Sequence, residues 1–182
     1  MQAVTQTQTD RVYDELLVTL VQTGDARAAE RLAARWQPRL VRVARRLLRD
    51  EDQAREAVQE AWTGICRGWH GLSDPAKFPG WAFGILHRKC ADRIRHQQKV
   101  RARHDGGTDA AELPQMAGAE DHAAINQALE HLSPEHRTAA ILYFGEGLTL
   151  TEIATATGVP TGTAKSRIFH ARQRLKALLK GE

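Results

Sequence analysis

The sequence predicts an all-α protein: two small helical domains joined by a flexible acidic linker. Three observations carry that expectation. Apolar residues recur at helical spacing along most of the chain, with no run of strand alternation. Aromatic residues make up only 5% of the 182, too few for a sandwich or barrel rich in Tyr and Trp, whereas 42% hydrophobic residues suffice for a folded core. Between 105 and 121 the text becomes DGGTDAAELPQMAGAED, with five acids, no Lys or Arg and no steady period, so it reads as a tether between folded units.

The first helix is marked by Val12, Leu16, Leu17, Leu20 and Val21, a stripe expected to be buried, and Gly24-Asp25 ends it and caps the next. The second carries Leu32, Trp36, Leu40, Val43 and Leu47; Pro38 lies inside it, where a missing N–H and a ring clash predict a kink or a break. Asp50-Glu51-Asp52 places acid at the start of a third helix, where the helix dipole favours it. Its expected buried stripe is Ala54, Val58, Ala61, Ile65 and Trp69, and its other face holds Asp52, Glu56, Gln59 and Thr63.

Pro75 and Pro79 make His70 to Gly80 a predicted loop, followed by a fourth helix from Trp81 to about Gln98 that buries Phe83, Leu86, Cys90 and Ile94. After the linker, Ile125, Leu129 and Leu132 mark a short helix, and Ser133-Pro134 caps and opens another that runs to Gly145. Thr149 and Glu152 form a capping box for a helix ending at Gly158, and Val159-Pro160 turn the chain into the last helix.

Charge is unevenly spread. The net charge is +4, yet residues 85–104 hold seven Lys or Arg against Asp92, and residues 163–182 hold six against Glu182. Two basic blocks imply two contacts with a polyanion. In the last helix Ala164, Ile168, Ala171, Leu175 and Leu178 form one apolar seam, and Gly162, Ser166, Phe169, His170 and Gln173 lie opposite, flanked by Lys165, Arg167 and Arg172. A short helix, a glycine-containing turn and a longer basic helix are the parts of a helix-turn-helix, whose second helix fits the major groove. The small residues Thr161, Gly162 and Thr163 let free N–H groups at the helix start approach phosphates. Spacing leaves Phe169 with two readings, packing on another helix or touching a thymine methyl.

Other chemistries find little support. GVPTGTAKS has two residues between Gly162 and Lys165 and follows a helix rather than a strand, so it is not a phosphate-binding P-loop. Eight His and two Cys show no H-x-x-x-H or C-x-x-C spacing, so neither an enzyme nor a metal or cofactor site is expected. Cys66 and Cys90 alone make no disulfide framework, the polar start has no signal-peptide core, and the longest apolar run, 139–144, is far short of a membrane span. A cytoplasmic location is expected.

LTLTEIATATGVPTGTAKSRIFHARQRLKALL closely resembles the sigma-4 domain of extracytoplasmic-function (ECF) sigma factors, with TEIA, GVP, GT-x-KSR and the Ala-Arg pair in order. ARRLLRDEDQAREAVQEAW and FPGWAFGILHRKCADRIR are similar to the sigma-2 domain of the same family. The resemblance implies a sigma-2-like domain over 1–100, a linker over 101–121 and a sigma-4-like helix-turn-helix domain over 122–182. It implies an alternative sigma factor that binds core RNA polymerase and promoter DNA, is restrained by an anti-sigma protein, and associates with the nucleoid when bound to polymerase.

By that resemblance Asp52, Glu56, Gln59 and Glu60 dock on core polymerase. The −10 strand falls to Ser73, Lys77, Trp81, His87, Arg88, Lys89, Arg93 and Arg95, although Trp81 on pattern alone belongs to the core. The −35 duplex falls to Thr161, Thr163, Lys165, Ser166, Arg167, Phe169, His170 and Arg172. Arg88 stands where many members carry Asn, and His170 where many carry Arg, which leaves the preferred promoter sequence open. A conventional helix-turn-helix regulator would explain the last sixty residues but not the first hundred.

Overall fold

The protein is described from a computed structural model covering residues 2–104 and 120–180. The described residues are helical, with no strand among them: α1 (Gln2–Gln22), α2 (Ala26–Leu48), α3 (Glu51–Gly68), α4 (Phe78–His104), α5 (Glu120–Glu130), α6 (Pro134–Ala140), α7 (Leu150–Thr157) and α8 (Thr161–Lys180). The two ends of the expected linker, 101–104 and 120–121, are helical; the acidic text between them lies outside the described residues.

Local chemistry sets most boundaries. Asp25 caps α2 by accepting from the Ala28 amide, Asp50 caps α3 through Gln53, and Ser133 caps α6 through His136. Thr149 and Glu152 complete the reciprocal capping box of α7, and Gly158 ends that helix at φ 68°, where a side chain would be strained. α6 continues through a wider π-type turn, Ile141–Gly145.

Three expectations are corrected. α2 passes through Pro38 without a break. The predicted loop keeps two 3-10 turns, Trp69–Gly71 and Pro75–Lys77, but Phe78–Gly80 already belong to α4, because proline in a first helical turn forfeits no hydrogen bond. On α1, Val12 and Leu16 are exposed, while Leu17, Val18 and Val21 face inward beside the buried carboxylate of Asp14.

α1 to α4 pack into one bundle around Trp36, which is fully buried and meets Phe78 edge-on at 4.8 Å and Phe83 at 5.5 Å. α5 to α8 pack into a second, in which α6 and α7 both lie on α8. The two modules share one apolar core, because α4 also packs along α7. Gly80 and Gly84 permit that crossing: a Cβ on Gly80 would stand 3.0 Å from the Glu152 Cα, and one on Gly84 3.3 Å from the Ala156 Cα.

Candidate nucleic-acid interface

α8 keeps its apolar seam inward, with Ala164, Ile168 and Ala171 buried and Leu175 and Leu178 half-buried. Thr161, Lys165, Ser166, Phe169, His170 and Arg172 are exposed on the other side, with Thr163 and Arg167 half-buried at its flank. Gly162 has nothing within 4 Å of its Cβ position, so the first turn leaves room for a phosphate against free amides. The Ser166 hydroxyl donates to the Thr163 carbonyl at 3.0 Å, which leaves its oxygen lone pairs to accept from a base.

Phe169 does not pack into another helix. Its ring is 56% exposed, with His170 edge-on at 5.5 Å, and His170 in turn lies 5.8 Å from His136 on α6. His136 was not singled out from the sequence; only the crossing of α6 over α8 brings it to this face.

The other candidate residues converge on α3 and α4. Arg93 reaches Glu56 at 2.7 Å and Glu60 at 2.5 Å, and Lys89 lies 3.2 Å from Glu60. The carboxylates assigned to polymerase therefore face the cations assigned to the −10 strand. Hydrogen bonds from Lys89 and then Arg93 hold the Glu60 carboxyl below its ordinary range, against the opposing effect of burial. Asp52 projects into solvent with only Arg55 at 3.8 Å, and Gln59 is exposed.

Lys77 pairs with Asp74 at 3.6 Å, Arg95 pairs with Asp92, and Ser73 and Arg88 are exposed. Trp81 is half-buried, 6.0 Å from Phe78, with its indole against the backbone of Gly68. His87 is half-buried; burial, then the charges of Arg88 and of Arg167 on α8, push its imidazole pKa down. Thus a residue of the expected −10 track lies near a residue of the expected −35 helix.

Two family patterns match this chain, sigma-70 region 2 over residues 32–100 and sigma-70 region 4 over residues 128–177. An ECF RNA polymerase sigma factor, SigM of Mycobacterium tuberculosis, is 31% identical across 93% of this chain and 86% of its own length. The chain belongs to the ECF family of sigma factors. The RNA polymerase sigma-H factor of Pseudomonas aeruginosa is similar at 28% identity, over 91% of this chain and 93% of its own.

Among solved structures, the sigma factor RpoE of Bartonella quintana, bound to the anti-sigma factor NepR, matches with a TM-score of 0.70. That match has 27% identity and covers 83% of this chain and 96% of that one. CnrH, in complex with the cytosolic domain of CnrY, has the same fold, with a TM-score of 0.69 at 23% identity over 93% of this chain and 99% of its own.

As a sigma factor, this chain is not an enzyme; it binds core RNA polymerase and directs initiation at promoters with −10 and −35 elements. The region 2 match sets aside the plain helix-turn-helix regulator, which gave the first hundred residues no task. No helix among the described residues is long and apolar enough to cross a membrane. What sequence reasoning missed in this sigma factor is the polar seam between its modules, where Arg11, Arg39 and Arg42 meet Glu146 and Glu152. The one available signal was the i, i+4, i+7 row of Arg35, Arg39 and Arg42 on α2, which by itself reads as a solvated face.

Proposed function

We propose that the −35 duplex is read by the open face of α8, with Thr161, Thr163, Lys165, Arg167 and Arg172 positioning the phosphates. Ser166, Phe169 and His170 contact base edges. The observation that carries this assignment is the exposure of Phe169 and His170 on a helix whose opposite side buries Ala164, Ile168 and Ala171 in the core. An apolar ring left in water between basic side chains suits a groove that offers thymine methyls.

In the same reading the module over 1–100 serves core polymerase and the −10 element, the module over 122–182 serves the −35 element, and 101–121 joins them. Asp52, Glu56, Gln59 and Glu60 meet an arginine-bearing surface of polymerase. Ser73, Lys77, Trp81, His87, Arg88, Lys89, Arg93 and Arg95 follow the −10 strand, with Arg88 placed to stack on a base or hold a phosphate. The protein acts in the cytoplasm, on the nucleoid when bound to polymerase, and an anti-sigma protein that contacts both modules restrains it.

The test is reconstitution with core polymerase and mapping of transcript starts on genomic DNA. Aligned upstream sequences should show two elements, and the Ser166→Ala/His170→Ala protein should lose about 1–3 kcal/mol of discrimination at the upstream one. Unaltered selectivity in that double variant removes base reading from α8.

A further inference from the structure

The loop between α6 and α7 carries Glu146, whose side chain is only 1% exposed although it lies in the turn Gly145 to Thr149. Its carboxylate accepts from Arg39 Nε at 3.1 Å and from Arg42 at 2.8 and 3.0 Å, and its backbone carbonyl accepts from Arg39 Nη2 at 3.2 Å. Arg39 is itself fixed, its guanidinium 4.2 Å above the Trp36 ring and 5.6 Å from Phe83. Beside this pairing Arg11 grips Glu152 with two bonds, 2.9 and 3.1 Å, and the Gly147 carbonyl at 3.0 Å. Asp14 completes the seam through Arg35 at 2.8 Å, and a cavity of about 380 Å³ lies among these groups. Glu152 is also the capping residue of α7, so the contact is anchored where the helix-turn-helix begins.

We propose that the α6–α7 loop is an ionic latch, with Glu146 seated on Arg39 and Arg42 of α2 and Glu152 on Arg11 of α1, that holds the sigma factor closed until it opens to span both promoter elements. The seam has the chemistry of a latch rather than of a core. Apolar contacts do not weaken as salt rises, whereas charge pairs with a solvent-exposed member do, and a partly buried pair that loses one member leaves a charge stranded.

The need to open follows from length. Elements named for positions twenty-five base pairs apart lie about 85 Å from one another on straight duplex, at roughly 34 Å per ten base pairs. In the closed form Gly80 and Gly84 of α4 touch the α7 backbone. From there Arg95 is only about 17 Å along α4, and α8 is about 30 Å long in all, at 1.5 Å per residue. This consequence rests on assigning α4 and α8 to the two elements; the latch itself does not.

The latch can be read without DNA or polymerase. Cys66 is exposed while Cys90 is buried, its thiol pKa pushed up to about 12, so dyes on the full chain carrying Gln173→Cys report the distance between α3 and α8. Energy transfer should fall as salt rises from about 0.1 M to about 1 M, over which the screening length drops from roughly 10 Å to 3 Å.

At low salt Glu146→Gln should raise the ratio of open to closed protein by about a hundredfold or more, as loss of one member of a buried pair predicts. Arg42→Gln, at a 44% exposed side chain, gives the same reading if Glu146→Gln fails to fold. Transfer that stays at the wild-type value in both variants, or that ignores salt, overturns the latch. At limiting core polymerase the opened variants should also initiate more often; opening without that gain overturns the link to promoter engagement and leaves the latch standing.

Discussion

The sequence leaves the environment of Phe169 undecided. Spacing gives it two readings, and its 56% exposure decides against packing on another helix. Phe169→Ala should therefore shift folding stability by no more than about 0.5 kcal/mol, as surface substitutions do. It should still weaken binding to a −35 duplex, measured by titration at fixed salt. A large loss of stability in the isolated protein would place the ring in a packing role instead. Lys165→Ala and Arg172→Ala act differently: each should lower affinity for all duplexes alike and reduce the slope of log affinity against log salt by about one. His87 is a residue with a pH signature. Burial first, then Arg88 and Arg167, make its protonation harder in the folded chain than in the unfolded one, whose reference value is 6.5. Below 6.5 the unfolded chain then binds more protons, so stability is full above that value and falls as the pH drops through and beneath it. Urea midpoints measured at about pH 7.5 and about pH 5.5 should converge in His87→Gln relative to wild type. An unchanged difference would free His87 from that burial.

The α3–α4 pair decides how the acidic face can be tested. Glu56 and Glu60 already hold Arg93 and Lys89, so reversing either disturbs the bundle as well as any docking surface. Asp52 and Gln59 have no such duty. Asp52→Lys/Gln59→Lys should impair co-purification with core polymerase while leaving the urea midpoint close to wild type, and normal co-purification would remove this face from the polymerase contact. The same contrast explains what could be read in advance. Caps are local, so Asp25, Asp50, Ser133 and the Thr149–Glu152 box set helix starts that sequence alone reveals. The exposed basic face of α8 follows equally from its seam. On α1, by contrast, Val12 and Leu16 compete with Leu17, Val18 and Val21 for the buried side at the same helical period. The choice is made by Asp14, which turns inward to meet Arg35 from α2. Pro79 misled for a related reason: a proline ends a helix or opens one, and only the partner surfaces of Phe78 and Gly80 decide which.

At the scale of the whole molecule, two contacts of different kind hold the modules together, the ionic seam at Glu146 and Glu152 and the crossing of α4 on α7. Gly80 and Gly84 of α4 allow the α7 backbone to come within van der Waals reach, and the apolar core continues across that line from Trp36 to Ile168. One cooperative thermal transition is expected for the intact chain. Gly80→Ala separates the two contributions. Within the first turn of α4 the exchange reduces the entropy that glycine loses on folding, worth roughly 0.5–1 kcal/mol to the first module. Across the crossing, the added methyl meets the Glu152 Cα and carbonyl oxygen at 3.0 Å, backbone atoms that move only if α7 moves. The variant should therefore unfold in two calorimetric steps, the first module's at or above the wild-type temperature and the second module's below it. The second must move because α5 to α8 lose the burial that α4 provides to α7 at Ala156. A single transition at an unchanged or higher temperature would mean that the methyl is accommodated at the crossing and that the modules still unfold as one body.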